Sequence, residues 1–326
     1  MIQEVTQPLA QPSTNAFEVG EACRALGVSR SGFYAHLDKD QRVRRCQDRV
    51  LTELIKKVFD ENQGVYGSVR LVRGLRERGV RTSKTRVRRL MKSEKLCPRQ
   101  KRRIRIHTTK SNPHLPVAPH LLLKAPPAQR PGERFYSDIT YIPTHEGWLF
   151  TAATLDAYSR RCAGWSAADN METPLVLRAA KRAFAAVDAT GGIHHSDRGS
   201  QYASELFRNF LEKQVIDQSM SRKANCYDNA AMESFWATLK TECFDNFRHG
   251  IPATRREAKQ KLFAYIEVFY NRKRSHSSLG YCSPIEFEDN YKQQKNLVKE
   301  ENLSLYVFTQ SGKDQGYLHT HYAIGQ

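Results

Sequence analysis

RFYSDITYIPTHEGWLFTAATLDAYSRRCAGWSAA, residues 134–168, decides the fold. Three runs within it, RFYSDITYI (134–142), WLFTAATL (148–155) and RCAGWSAA (161–168), have the aromatic and β-branched character of strands. Downstream the pattern alternates. Thr173 and Pro174 open a helix through Leu177, Ala180, Phe184 and Val187, and GIHHSD (192–197) is a short fourth strand. A helix from about Ser204 carries apolar Leu206, Phe207, Phe210 and Leu211, and VIDQSM (215–220) is a candidate fifth strand. Two more helices follow, from Asn229 to about Cys243 and from Arg255 to about Tyr270. Three successive strands and then alternating helix and strand predict an α/β unit: a mixed five-stranded sheet covered by helices.

Upstream the chain is different in kind. Of the 326 residues, 52 are Lys or Arg and 34 are Asp or Glu, a formal net charge of +18. Residues 1–135 hold 29 of those bases and 12 of the acids, a net +17, so the rest of the chain is nearly neutral. A basic region joined to a neutral one suggests polyanion binding attached to another activity. FEVGEACRALGVSRSGFYAHLD (17–38) reads as a helix from Glu18 to Leu26, a break at Gly27, and a second helix capped by Ser29 and running to about Leu37. GVYGSVRLVRGLRERGV (64–80) and RTSKTRVRRLMKSEKL (81–96) form a second helix-turn-helix around Gly79, with Ser83 as cap.

In that second unit Val87, Leu90 and Met91 make the apolar stripe, while Arg86, Arg88, Arg89 and Lys92 cover the other faces. Arg70 and Arg73 precede them, and Arg99, Lys101, Arg102, Arg103 and Arg105 continue the run. So dense a run exceeds an ordinary solvated helix face and points to phosphate contact. The expected organisation is an N-terminal helix-turn-helix (1–48), a basic DNA-binding helix-turn-helix (49–106), a proline-rich linker (107–132), a catalytic core with C-terminal helices (133–291) and a polar, aperiodic tail (292–326).

Composition excludes several classes. With 40% hydrophobic and 10% aromatic residues the chain is not a disordered protein. No apolar run approaches the ~20 residues of a membrane span, and residues 1–16 lack a signal-peptide pattern. The seven cysteines show no CxxC pair, which argues against a disulfide framework or a structural zinc site. A reduced, cytoplasmic protein is expected.

An enzyme acting on phosphodiesters needs converging carboxylates to hold divalent ions. Asp138 lies among Phe135, Tyr136, Ile139 and Tyr141, where an unpaired charge is costly. Asp197 ends the fourth strand in HHSDRGSQY, and Glu233 flanks the helical stripe of Met232, Phe235, Trp236 and Leu239. Lys240, seven residues after Glu233, is about 20° from it around the helix. Residue type alone leaves Asp156, Asp169, Asp188, Asp228 and Glu172 as competitors, and Asp228 is also placed to cap the Glu233 helix.

In this order, SDITYI, HHSDRGSQY, NCYDNAAMESFWATLKTE and YNRKRSHSSLGYCSP resemble the retroviral-type integrase core of insertion-sequence transposases, specifically the second-frame (OrfB) protein of the IS-three family. Between Asp197 and Glu233 lie 35 residues, the family's spacing. The resemblance covers roughly residues 17–290, including ALGVSRSGFY and YGSVRLVRGLRERGV in the helix-turn-helix segments. It implies a ribonuclease-H-like fold and a catalytic, metal-binding triad of Asp138, Asp197 and Glu233 with two Mg²⁺ or Mn²⁺ ions. It implies DNA contact for Lys240, and it places Asn225, Tyr227, Asp228 and Asn229 in the loop before the catalytic helix. Ser196, Gly199 and Tyr202 match the second-aspartate motif. Asn271, Arg274, His276 and Pro284 match family positions, with a packed helix end and DNA contact both open.

The resemblance further implies a DNA transposase that binds terminal inverted repeats and target DNA as an oligomer. It would cleave and join strands by two-metal phosphoryl transfer, in a copy-out–paste-in route. The complete family transposase is a frameshift fusion, and residues 1–60 lack sustained heptads, so the resemblance implies a second-frame product acting with a first-frame (OrfA) protein, or a fusion of the two trimmed of its first part. A DNA-binding module with a silent core, or a ribonuclease on the same fold, are the rival readings. The first leaves the converging acids unused and the second leaves the two helix-turn-helix units unused.

Overall fold

The computed structural model describes residues 19–99, 116–123, 125–222, 226–247 and 250–298. Two compact units divide after Pro98.

In the first unit, α1 (Val19–Ala25) ends at a turn through Gly27, whose φ of +64° suits glycine. Ser29 caps α2 (Arg30–Glu61) by accepting the Gly32 N–H at 3.0 Å. The expected end of this helix near Leu37 is corrected: α2 runs for 32 residues. No glycine or proline interrupts residues 33–61, and Leu51, Ile55, Val58 and Phe59 give its C-terminal half a stripe to bury. The expected boundary between residues 48 and 49 therefore falls inside one helix. Burying such a stripe is worth roughly 1.5–3 kcal/mol per large side chain, so the core, not local propensity, sets the helix length.

The rest of this unit follows the sequence closely. α3 (Ser68–Glu77) and α4 (Lys84–Ser93) flank a turn with Gly79 at φ +77°. Ser83 caps α4 by accepting the Arg86 N–H at 3.2 Å. Leu71, Leu75, Val87, Leu90 and Met91 complete the three-helix core.

The second unit is the α/β one, with the mixed five-stranded sheet that the strand pattern predicts. Its strands are β1 (Arg134–Thr144), β2 (Gly147–Asp156), β3 (Cys162–Ala168), β4 (Ile193–Ser196) and β5 (Asp217–Met220), in the order β3-β2-β1-β4-β5. β1, β2 and β3 pair antiparallel, while β4 runs parallel to β1 and β5 parallel to β4. α5 (Thr173–Ala186) crosses β3 so closely that a Cβ on Gly164 would lie 2.1 Å from the Ala179 carbonyl oxygen. α6 (Glu205–Lys213) is capped by Ser204 and buries Phe207 and Leu211 with Phe135, Leu175 and Ala179.

α7 (Ala230–Phe244) packs on β1. α8 (Arg255–Phe263) passes into a π-helical stretch, Ala264–Tyr270, where the Asn271 N–H reaches back five residues to the Ile266 carbonyl. A last helix, α9, covers 284–298. Its first residue is Pro284. Ser283 Oγ accepts the Glu286 N–H while Glu286 Oε2 accepts the Ser283 N–H, a reciprocal cap.

Two expectations at the edges of this unit change. Residues 292–298 belong to α9, so they are not aperiodic tail; 299–326 lie outside the described residues. Residues 116–123 are not a free linker. The Met220 N–H donates to the Pro119 carbonyl at 3.3 Å, the Leu121 N–H donates to Ser219 Oγ at 3.0 Å, and Ala118 packs on the core. β5 is an edge strand with unpaired backbone groups, which this segment satisfies. Residues 107–115 lie outside the described part. No helix among the described residues is long and apolar enough to cross a membrane.

Candidate active site

β1 and β4 run parallel with Ser137 opposite Ser196, so the next residues, Asp138 and Asp197, emerge side by side where β4 ends. Adjacent strands lie about 4.8 Å apart, which brings the two carboxylates to one strand end. Trp236 of α7 donates its indole N–H to Asp138 Oδ2 at 3.1 Å. That contact docks α7 on the sheet, and Glu233 lies one turn earlier on the same helix. Three elements distant in sequence thus converge.

The electrostatics agree with the geometry. Removal from water, and then the neighbouring Asp197 charge, push the Asp138 carboxyl up to about 8, with Glu233 adding to the effect. The Ile139 backbone and the Trp236 indole oppose it. Asp197 Oδ1 accepts the Gly199 N–H at 2.9 Å, which fixes the aspartate at the start of a tight turn. Glu233 remains exposed. Lys240 faces Asp138, whose charge opposes the lowering of the lysine pKa by burial, and its Nζ lies 5.1 Å from the centroid of the Tyr141 ring. Among the described residues, no three His, Cys, Asp or Glu side chains are drawn together tightly enough to form a metal site as they stand.

The histidines beside Asp197 are structural. His194 Nε2 and Ser137 Oγ lie 2.8 Å apart, and Ser137 Oγ meets Thr154 Oγ1 at 2.8 Å. His195 bridges Ser219 Oγ and Ser221 Oγ at 2.8 and 3.1 Å. Burial lowers their pKa values to about 3 and about 4, so both rings are neutral at physiological pH. Tyr202 is also buried, and its hydroxyl has no hydrogen-bond partner among the described residues.

The competing acids separate by their partners. Asp156 is buried and accepts the backbone N–H groups of Gly132 and Ser159, each at 2.7 Å. Ser159 links it to Glu288, which pairs with Arg161. Asp228 does not cap α7: Arg222 holds it through both carboxylate oxygens at 3.0 and 3.1 Å, and His120 Nε2 lies 3.2 Å away. The Arg222 hydrogen bonds are the main reason its pKa is lowered. Asn229 Nδ2 instead donates to the Ser137 carbonyl at 3.4 Å, tying the loop before α7 to β1. Asp169 and Glu172 are exposed, and Asp188 Oδ1 accepts the Thr190 N–H at 3.2 Å.

Comparison with known proteins completes the picture. Residues 128–226 and 214–284 each match a family described as integrase core domain, and residues 45–103 match an HTH-like domain. A 31 kDa protein of insertion element IS600 from Shigella sonnei is 40% identical over 272 residues, 83% of this chain and 98% of that one. The transposase for insertion sequence element IS904 from Lactococcus lactis subsp. lactis (strain IL1403) is 40% identical over 245 residues, 75% and 95% of the two chains. Transposase InsF for insertion sequence IS3A from Escherichia coli (strain K12) is 34% identical over 286 residues, 86% and 96%. The chain belongs to the IS3-type insertion-sequence transposases. It is a DNA transposase with an integrase-type catalytic core.

In the N-terminal unit of the transposase, Arg88, Arg89 and Lys92 are exposed on α4 and Arg86 is half-buried. Arg86 Nε donates to Asp48 Oδ1 at 2.7 Å and Arg89 donates to Oδ2, which holds the Asp48 carboxyl below its usual range. Arg70 stacks over the Tyr66 ring at 5.4 Å, and Arg73 pairs with Glu77 at 3.1 Å. Sequence reasoning passed over Arg44 and Arg45 of α2. They line a cleft of about 450 Å³ with Asp48, Arg86 and Arg89. The run RVRR at 42–45 was the available signal, hidden by ending α2 too early. Arg102, Arg103 and Asn225, and the side chain of Tyr227, lie outside the described residues.

The C-terminal motif of the transposase is a buried clasp. Arg274 grips Glu242 of α7 through Nε and Nη2 at 2.6 and 2.7 Å, and the Tyr265 hydroxyl donates to Glu242 Oε2 at 2.7 Å. The His276 ring sits edge-on to Tyr270 at 4.9 Å. Asn271 brackets Cys162 at the start of edge strand β3, accepting its N–H and donating to its carbonyl, both at 3.0 Å. With Asn271 1%, Arg274 6% and His276 9% exposed, the open question about this motif resolves to packing within the fold.

Proposed function

We propose that Asp138, Asp197 and Glu233 are the catalytic triad of the transposase and hold two divalent ions, Mg²⁺ or Mn²⁺. The observation that carries this is the parallel register of β1 and β4, which sets Asp138 beside Asp197 so that burial and the neighbouring charge push the Asp138 carboxyl up to about 8. Two side-by-side carboxylates with a third within electrostatic range are a hard-oxygen donor set that suits such ions, and the charge they bring relieves the repulsion. Bound there, the ions supply charge neutralisation at the attacking and leaving oxygens of an in-line phosphoryl transfer.

The side chains have distinct duties in this reading. The Trp236 indole and the Gly199 N–H orient Asp138 and Asp197, and Glu233 closes the site from α7. Lys240 binds a phosphate of the terminal DNA. The basic N-terminal unit, through Arg70, Arg73, Arg86, Arg88, Arg89, Lys92, Arg102 and Arg103, binds the terminal inverted repeats, and Asn225 and Tyr227 border the DNA at the core. The reaction is strand cleavage followed by transfer of the freed 3′-hydroxyl to target DNA, in a copy-out–paste-in route. It proceeds in an oligomer, with a first-frame (OrfA) partner, in the cytoplasm at the nucleoid.

The test is incubation of labelled element-end DNA with the chain and Mg²⁺, alongside Asp138→Asn and Glu233→Gln. Calorimetric titration with Mn²⁺ provides a readout independent of activity. Both variants should lose nicking and weaken Mn²⁺ binding; nicking that survives either substitution overturns the assignment. Recovery of activity only on adding the first-frame protein would identify that partner.

A further inference from the structure

Of the three tryptophans, Trp165 and Trp236 are buried and bonded to Glu267 and Asp138, whereas Trp148 is 50% exposed. Its half-open ring offers a broad, flat apolar face that a planar partner can cover. The ring is not on a loose loop. It stands in β2 opposite Pro143, just past the β1–β2 turn, and that turn is pinned. The Trp148 carbonyl accepts from Arg255 Nε at 3.0 Å, the His145 N–H donates to the Pro252 carbonyl at 3.1 Å, and Thr144 Oγ1 donates to the Gly147 carbonyl at 2.6 Å. A rigidly mounted, half-open indole is a preorganised surface.

Its neighbours identify what it meets. Tyr141 packs edge-on to Trp148, with ring centroids 4.9 Å apart and planes at 80°. Lys240 Nζ lies over the other ring of this pair, at 5.1 Å from the Tyr141 centroid, and the same lysine faces Asp138. Tyr141 is three residues along β1 from Asp138, about 10 Å at strand spacing. Residues three apart on a strand project to opposite faces, so the link between the aromatic pair and the candidate active site is Lys240, whose ammonium group lies over Tyr141 and within electrostatic range of Asp138. Arg255 at the start of α8 adds a second positive charge beside Trp148. Trp148 itself pairs with Pro143, five residues along β1 from Asp138, or about 17 Å. Aromatic surface next to cations, a few nucleotides from the reacting carboxylates, matches a nucleobase flanked by its phosphates.

We infer that Trp148, supported by Tyr141, is a stacking platform for an unpaired base of the DNA strand being processed, with Lys240 on the adjoining phosphate. This inference rests on reading the site as one for DNA strand cleavage and transfer. Stacking tolerates any base, so the platform contributes to handling opened DNA ends rather than to sequence choice. It also gives a physical reason for holding the strand away from its complement near the carboxylates: an unstacked base must lie on something apolar.

The test uses the full chain and two probes: a duplex with a four-nucleotide single-stranded overhang, and the same duplex with abasic residues in the overhang. Fluorescence anisotropy of the wild type should favour the base-bearing overhang by on the order of 10-fold. Trp148→Ala should remove that preference, Trp148→Phe should keep most of it, and Phe263→Ala, at an exposed aromatic elsewhere, should leave it intact. 2-Aminopurine in the overhang should be quenched by the wild type and not by Trp148→Ala, with thermal melting of each variant confirming the fold. Equal wild-type affinity for the two overhangs, or a preference retained by Trp148→Ala, overturns the platform. The catalytic reading fails on a different result, nicking by Asp138→Asn, so the two failures are distinguishable.

Discussion

Asp138 and Asp197 stand side by side on parallel strands, each one residue beyond the paired Ser137 and Ser196. At neutral pH the protein must either hold a proton on Asp138 or carry two adjacent charges, and its pKa of about 8 records that cost. Asp138→Asn should therefore stabilise the metal-free protein, by about 2 kcal/mol after discounting for water that still reaches the carboxyl. The same variant should lose strand nicking. Thermal melting in chelator checks the first statement and a nicking assay the second; an unchanged or lower melting temperature contradicts the electrostatic account.

Acid should destabilise this unit through its paired histidines. His194 and His195 have folded pKa values of about 3 and about 4, below the usual 6.5. As pH falls through 6.5 the unfolded chain takes up protons that the folded chain refuses, so stability is present above that pH and is lost on the way down. Between pH 6.5 and 4.5 each ring accounts for about 2 kcal/mol. His195→Gln keeps a polar partner for Ser219 or Ser221 and removes one titrating ring. Measured in an Asp138→Asn background, which removes the carboxyl that takes up its proton in the opposite sense, the melting temperature should decline with acid less steeply when His195→Gln is added, and an unaltered slope would sink the explanation.

Glu242 and Arg274 form a buried pair, 6% exposed on each side, and breaking it should be costly. Arg274→Ala or Glu242→Ala leaves an uncompensated buried charge, worth about 3–5 kcal/mol. Arg274→Met combined with Glu242→Leu should recover much of that loss. Chemical denaturation measures all three. Because the pair lies inside the fold, the salt dependence of DNA binding by any variant that remains folded should match the wild type.

On α4 the arginines differ in availability. Arg88 and Lys92 are exposed, whereas Arg86 and Arg89 are held by Asp48. Arg88→Ala and Lys92→Ala should each weaken DNA binding across sequences and lower the slope of log K against log salt by about 1. Asp48→Asn releases two guanidinium groups from a carboxylate and should tighten nonspecific binding. Anisotropy titrations across a salt series decide; a slope unchanged in Arg88→Ala removes that residue from the interface.

Local chemistry made much of this legible. The Ser29 and Ser83 caps, the turns at Gly27 and Gly79, and the existence of all five strands were visible because capping, turn conformation and strand alternation act over a few residues. The length of α2 was not visible. Nothing local stops a helix that lacks glycine and proline, and its extent depends on the stripe from Leu51 to Phe59 finding α3 and α4. Likewise Pro119 and Leu121 looked like linker because their partner, the edge of β5, lies about a hundred residues away in sequence.

By itself the sequence determined the kind of molecule: a basic helical region ahead of a mixed α/β core, with Asp138, Asp197, Glu233 and Lys240 as the acids and base worth testing. Motif order and spacing suffice for that, since they constrain which residues one fold can bring to one place. Only the tertiary structure decided what each candidate touches. It set Asp138 beside Asp197 through parallel register, assigned Asp156 and Asp228 to structural networks, turned Arg274 inward onto Glu242, and left Trp148 open beside Tyr141. Charge and burial are properties of neighbours in space, and long-range strand pairing and helix docking choose those neighbours.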